Sequence, residues 1–205
     1  MTAIWETIMK GGIVMIPLLL TSIVGLAVVI ERALFLRRRR IIRDETLDLI
    51  NRIDKPEDVE KALYGLRQQT DPFSNIVRTT LEQIGRTRDE IREAIADQGR
   101  QEARNLERGL VVVETVAGIS PLLGLLGTVL GMIKVFRVIS EQGLGQTQSL
   151  SGGISMALLT TVVGLSIAIP ALVAYNYFSH KVEDLVLEIE KHSSLLLRKI
   201  GGFEL

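Results

Sequence analysis

Charged residues leave three long gaps in this chain. Gly11–Ile30 is uncharged for twenty positions, Thr115–Ile133 for nineteen, and the run from Gln142 to His180 is longer still. About twenty apolar residues cross a hydrocarbon core ~30 Å thick as a helix, so each gap predicts one membrane span. The first run is too long for the apolar region of a signal peptide, and no small-residue cleavage site follows it before Glu31 and Arg32, so it is expected to remain as an anchor. Trp5 suits the headgroup level at its start, and Pro17 is tolerable within it because neighbouring helices satisfy the freed carbonyl.

The polar remainder also reads as helix, without strand-like alternation. Asp54-Lys-Pro-Glu and Asp71-Pro-Phe carry start signals, and Thr87-Arg-Asp-Glu90 has the form of a capping box. After it Ile91, Ala94, Ile95, Ala103, Leu106 and Leu110 keep helical spacing with no proline before Pro121. The expectation is one uninterrupted helix from Arg88 to Ile139, on the order of 75–80 Å at ~1.5 Å per residue. The fold class is therefore an all-α polytopic membrane protein with three transmembrane helices and long helices extending beyond the membrane.

Charge supplies the orientation. Arg37–Arg40, four arginines directly after the first span, mark a cytoplasmic side, whereas Ser140–Gly152 carries only Glu141. The expected layout is a periplasmic N-terminus at 1–10, a span at 11–36, a cytoplasmic helical domain at 37–108, a span at 109–139, a periplasmic loop at 140–152, a span at 153–179 and a cytoplasmic helix at 180–205. Tyr175, Tyr177 and Phe178 sit where an inner aromatic belt would. Topology accounts for the arginine run without a nucleic-acid partner, and Lys+Arg and Asp+Glu are equal at 24 each. Membrane lipid is the expected surroundings.

Within the spans, small residues recur on one helix face. Ala117, Pro121, Gly124, Thr128 and Gly131 step by four and three, and so do Ala157, Thr161, Gly164, Ala168, Ala171 and Tyr175. In lipid, small residues let helix backbones approach, so Gly124, Gly127, Gly131, Ala157, Gly164 and Ala168 are the candidate packing positions. Thr128 and Thr161 each fall roughly 14 Å below the same membrane surface at ~1.5 Å per residue. With Thr160 and Ser120 they are candidates to line a proton path. Membrane threonines also bond their own backbone four residues back, so pore and packing readings both stand. Glu114, about one turn into the second span, is a candidate intramembrane acid, while Lys134 and Arg137 are near enough to its outer end to snorkel.

No phosphate loop, nucleophile set or metal spacing is visible, the chain has no cysteine, and its two histidines lie apart; no enzyme, cofactor or metal is expected. A hydroxyl-lined path has no titrating group of its own, so a partner must bring one.

Ser120-Pro-Leu-Leu-Gly-Leu-Leu-Gly-Thr-Val-Leu-Gly131 and Gly153-Ile-Ser-Met-Ala-Leu-Leu-Thr-Thr-Val-Val-Gly-Leu-Ser-Ile-Ala-Ile-Pro170 resemble the paired signatures of the MotA/TolQ/ExbB proton-channel family, nearest its ExbB/TolQ branch. The Glu31-Arg32 pair, the three spans and the large insert extend the likeness. It implies a subunit of a bacterial inner-membrane motor, pentameric around an ExbD/TolR-like single-span protein whose membrane aspartate carries protons. Through a TonB-like or TolA-like protein, proton flow would do work on the envelope, as in TonB-dependent import. By similarity Thr128 and Thr161 match pore-facing threonines. One departure stands out: Met156 replaces the glutamate common early in the third span. The alternatives are a passive oligomeric scaffold and a gliding or secretion motor of the same family; a lone transporter would show internal repeats, which are absent.

Overall fold

The structure is a computed structural model and describes residues 11–143 and 147–201. The expectations for residues 1–10, including Trp5, and for 144–146 and 202–205 lie outside these. Among the described residues there are eight helices and no strand. They are α1 (Met15–Phe35), α2 (Arg38–Ile41), α3 (Asp44–Asn51), α4 (Pro56–Leu66), α5 (Pro72–Glu82), α6 (Arg88–Glu107), α7 (Leu110–Gln142) and α8 (Thr147–Ile200). α1, α7 and α8 are long and apolar enough to cross a membrane. The described chain is all-α, with three helices of membrane-spanning length.

It divides into two compact units: an apolar one of residues up to Glu31 with Gly109–Tyr177, and a polar one of Arg32–Arg108 with the chain from Phe178. In the apolar unit, Val14, Met15 and Leu18 pack with Leu123 and Leu130 of α7 and Val163 and Ile167 of α8. Further along, Val113, Val116 and Ala171 join Val28 and Val29. Gly25 keeps this approach close, since a Cβ there would meet Val116 Cγ1 at 3.0 Å.

In the polar unit, Phe73, Ile76, Val77 and Leu81 of α5 are buried with Ile41, Ile42, Leu66, Leu106 and Leu196. Helix starts are chemically explicit. The Asp71 carboxylate accepts from Ser74 N at 3.1 Å at the head of α5, and Thr87 and Glu90 form a reciprocal capping box at the head of α6. At the other end of α3, Lys199 Nζ donates to the carbonyls of Ile50 and Asn51 at 3.2 and 2.7 Å, a cation where a helix leaves orphan acceptors. Arg38 holds Glu188 with two nitrogens, Nε at 2.9 Å and Nη2 at 2.6 Å from Oε1.

Two expectations need correction. The uninterrupted helix from Arg88 is two helices: Arg108 leaves helical geometry (ψ 130°) and Gly109 takes a left-handed φ of 90°. Glycine adopts that conformation without the steric penalty of a side chain, and it ends α6 before α7 begins. Arg32 supports the ending, its Nη1 donating to the Leu106 carbonyl at 3.4 Å. Conversely, the third span and the charged tail are one helix, α8, without a break near His180.

Candidate functional site

α7 and α8 meet along a seam of small residues. A Cβ on Gly124 would lie 3.0 Å from the Thr160 carbonyl and 3.1 Å from Thr161 Cα, and one on Gly131 would lie 2.9 Å from the Gly153 carbonyl. One on Gly164 would meet the Ser120 carbonyl at 2.6 Å, and one on Gly127 would collide with the Thr160 side chain. Contacts that rise along α7 fall along α8, so the helices run antiparallel. Gly124, Gly127, Gly131, Ala157 and Gly164 are buried at this seam, and Ala168 is buried one turn further along α8. Gly153, which sequence reasoning omitted, belongs to it as well. The signal was present, because it lies four residues before Ala157 and continues the stripe.

The hydroxyls divide into two kinds. Thr160 and Ser120 are fully buried inside the seam, where Thr160 Oγ1 donates to Ala157 O at 2.9 Å and Ser120 Oγ to Val116 O at 2.7 Å. They line no open face of this chain. Thr161 and Thr128 flank the seam. Thr161 Oγ1 donates across it to Gly124 O at 3.3 Å, and Thr128 Oγ1 donates to Leu125 O at 2.6 Å.

Handedness places this second pair on one side. Each residue advances about 100° around a right-handed helix. Thr128 therefore lies one step past the buried Gly127, and Thr161 one step past the buried Thr160. Because the helices are antiparallel, those two steps turn towards the same side of the pair. Gly124 faces Thr161 and Gly127 faces Thr160, so Thr128 and Thr161 also share a level to within about one helical turn. The opposite side is where Leu123, Leu130, Val163 and Ile167 receive α1. The threonine side is uncovered, with Leu125, Leu158 and Leu165 exposed around the two hydroxyls.

Glu114 is exposed and lies fourteen residues before Thr128, about 21 Å along α7 at ~1.5 Å per residue and within about 40° of it around the axis. It shares the open side but not the level of the threonines. Met156 is on the other side, with its methyl carbon 2.6 Å from where a Cβ on Gly12 would be. Among the described residues no cluster of acids and histidines could hold a metal ion.

Chemically, the open side offers hydroxyl oxygens in an apolar surround. Each hydroxyl spends its proton on a backbone carbonyl and keeps lone pairs free to accept. With three helices long and apolar enough to cross a membrane, the fold is that of a polytopic helical protein. Residues 68–191 match the MotA/TolQ/ExbB proton channel family, and the chain belongs to it. An ExbB-like biopolymer transport protein of Synechocystis is 39% identical over 83% of this chain and 82% of its own length. An ExbB homologue of Methanothermobacter thermautotrophicus is 30% identical over 90% of this chain and 66% of its own length. The Tol-Pal system protein TolQ of Pseudomonas aeruginosa is 29% identical over 90% of this chain and 87% of its own length. The chain is thus an ExbB/TolQ-like member of a family of proton-channel components.

Proposed function

We propose that this protein is the channel-forming subunit of a motor driven by the proton-motive force. Copies assemble, as a pentamer by family likeness, with the arginine-rich end of α1 and the C-terminus in the cytoplasm and the N-terminus in the periplasm. Their threonine sides enclose the membrane helix of an ExbD/TolR-like partner bearing a carboxylate. The task is coupled through a TonB-like or TolA-like transducer to biopolymer transport or to a Tol-Pal-type envelope function, the activities named for the relatives.

One observation carries this reading: Thr128 and Thr161 lie at one level on the side that α1 leaves uncovered. Their chemistry gives the mechanism. A protonated partner carboxyl donates its O–H to a threonine oxygen while the threonine keeps its bond to the backbone. An ionised carboxylate only accepts, so the threonine hydroxyl must rotate off its carbonyl to greet it. The two protonation states therefore select two hydroxyl arrangements, and a charge is held in an apolar interior only where a donor turns towards it. Thr160 and Ser120 belong to packing in this account, and Glu114 to the mouth of the path.

Thr161→Val is the test, because it keeps shape and removes the hydroxyl. Energised function, read as proton-dependent uptake or envelope integrity, is expected to fall at least tenfold while the solubilised complex keeps its size and its partner. Unchanged function would return the chain to a passive scaffold. Loss of the complex would make Thr161 a packing residue through its bond to Gly124.

A further inference from the structure

The polar unit contains a cleft of about 420 Å³ between α6 and the charged part of α8. Small-molecule sites occupy about 300–1,000 Å³, so its size is that of a ligand pocket. The walls are mostly aliphatic, with Ile95, Ala96 and Ala103 on α6 and Val186, Ile189 and Leu197 on α8. Room is left at the middle of α6, where a Cβ on Gly99 would meet nothing within 4 Å.

Two buried polar groups line this cleft with their bonding incomplete. Glu102, 5% exposed, is an interior carboxylate that no cation pairs with among the described residues. Asn75 Nδ2 and Gln98 Nε2 each donate to its Oε1 at 2.9 Å, and Asn105 Nδ2 donates to Oε2 at 3.3 Å. Arg78 fixes the Asn75 amide in this orientation, its Nη2 donating to Asn75 Oδ1 at 2.8 Å. Amide dipoles solvate the carboxylate without neutralising it, and Oε2, with one long bond, keeps lone pairs to accept with. The second group is Ser193, 3% exposed, whose hydroxyl has no hydrogen-bond partner. It stands four residues from Ile189 and four from Leu197, so it shares their face of α8. Glu190, one turn before it, also lines the cleft and makes no ion pair among the described residues. The cleft's two arginines leave these groups alone. Arg100 is engaged by Asp97, and Arg92 lies about 15 Å along α6 from Glu102.

From this we infer that the α6–α8 cleft binds a small organic cation, a primary ammonium carried on an apolar body. An ammonium brings three donors and no acceptor, which matches an uncompensated carboxylate, a free hydroxyl oxygen and a second carboxylate beside them. The aliphatic walls take the body, and an anionic ligand would meet Glu102 and Glu190 with like charge. Occupancy ties α6 to α8 through residues that take no part in the proton path.

Hexylamine is the probe, added to the full-length protein in lipid nanodiscs, with hexanol and hexanoate as its uncharged and anionic counterparts. Ligand-observed NMR, with empty nanodiscs subtracted, is expected to show saturable binding of hexylamine, binding of hexanol weaker by about tenfold, and none of hexanoate. Glu102→Gln should weaken hexylamine by about tenfold and leave hexanol unchanged. Gly99→Leu fills the cleft with a better helix former and should remove both. Ser193→Ala breaks no bond within the chain, so it should weaken hexylamine without lowering the thermal midpoint, and it serves as the test if Glu102→Gln does not fold. The site is overturned if hexylamine does not saturate, as it would not were another protein surface seated in the cleft. Equal binding of hexanol would leave the carboxylates without a role and overturn the cationic ligand. Undiminished binding to Gly99→Leu would place the amine outside the cleft and overturn the site as well.

Discussion

Thr160 and Thr161 adjoin in sequence, yet one is sealed and the other flanks an open face. The difference is a rotation of about 100° about α8. Burial holds Thr160 against Gly127, where the α7 backbone has room only because no Cβ is present. Gly127→Ala should therefore force the helices apart and cost about 1–3 kcal/mol, the usual range for overpacking a tight interface. Adding Thr160→Gly should recover a large part of that loss, since it clears the collision. Thermal unfolding of the solubilised protein measures both, and independent effects of the two substitutions would place Thr160 elsewhere. At this scale the sequence was partly legible. Its four-and-three spacing identified the stripe, but a stripe one residue wide on either flank obeys the same rule. Spacing alone does not say which of two consecutive threonines is inside; the packing of α8 on α7 decides that, with Gly127 receiving Thr160, and that contact joins residues more than thirty apart in sequence.

Helix ends were more legible than helix continuity. The Thr87–Glu90 capping box is local, four residues that satisfy each other's backbone donors, and the structure begins α6 there. The break at Gly109 was not visible because a lone glycine within helical spacing is tolerated as often as it terminates. The absence of a break at His180 has a similar cause: a change from apolar to charged residues alters what surrounds a helix, not its backbone. The capping box makes a measurable claim. The Thr87 hydroxyl, then its backbone N–H, holds the Glu90 carboxyl below the ordinary glutamate range. A lowered carboxylate pKa adds stability above the unfolded value and loses it as pH falls through the folded one. Thr87→Ala should therefore destabilise the protein at neutral pH, and the gap to wild type should narrow in acid as Glu90 protonates. Unfolding of the full protein at neutral and acid pH checks this, and a pH-independent gap would show that the carboxylate takes no part.

Across the whole molecule, the question is where the proton-carrying acid resides. At the level of Thr128 and Thr161 the open side of α7 and α8 bears hydroxyls and aliphatic side chains. Glu114 is about 21 Å away along α7. The family resemblance offered a third candidate, the position of Met156, but its side chain points to Gly12 on the α1 side. A glutamate placed there would face the packing between α1 and α8 and could not reach the threonines. Met156→Glu is therefore expected to leave the proton dependence of the motor unchanged and to lower its stability, because a carboxylate would enter a contact now made by a thioether. Function would then still require the carboxylate of the single-span partner, and its removal there should abolish activity in both backgrounds. If Met156→Glu instead restored proton-dependent work to a complex whose partner lacks its acid, the path would run along the α1 side, and the assignment of the threonine face as the channel wall would fall.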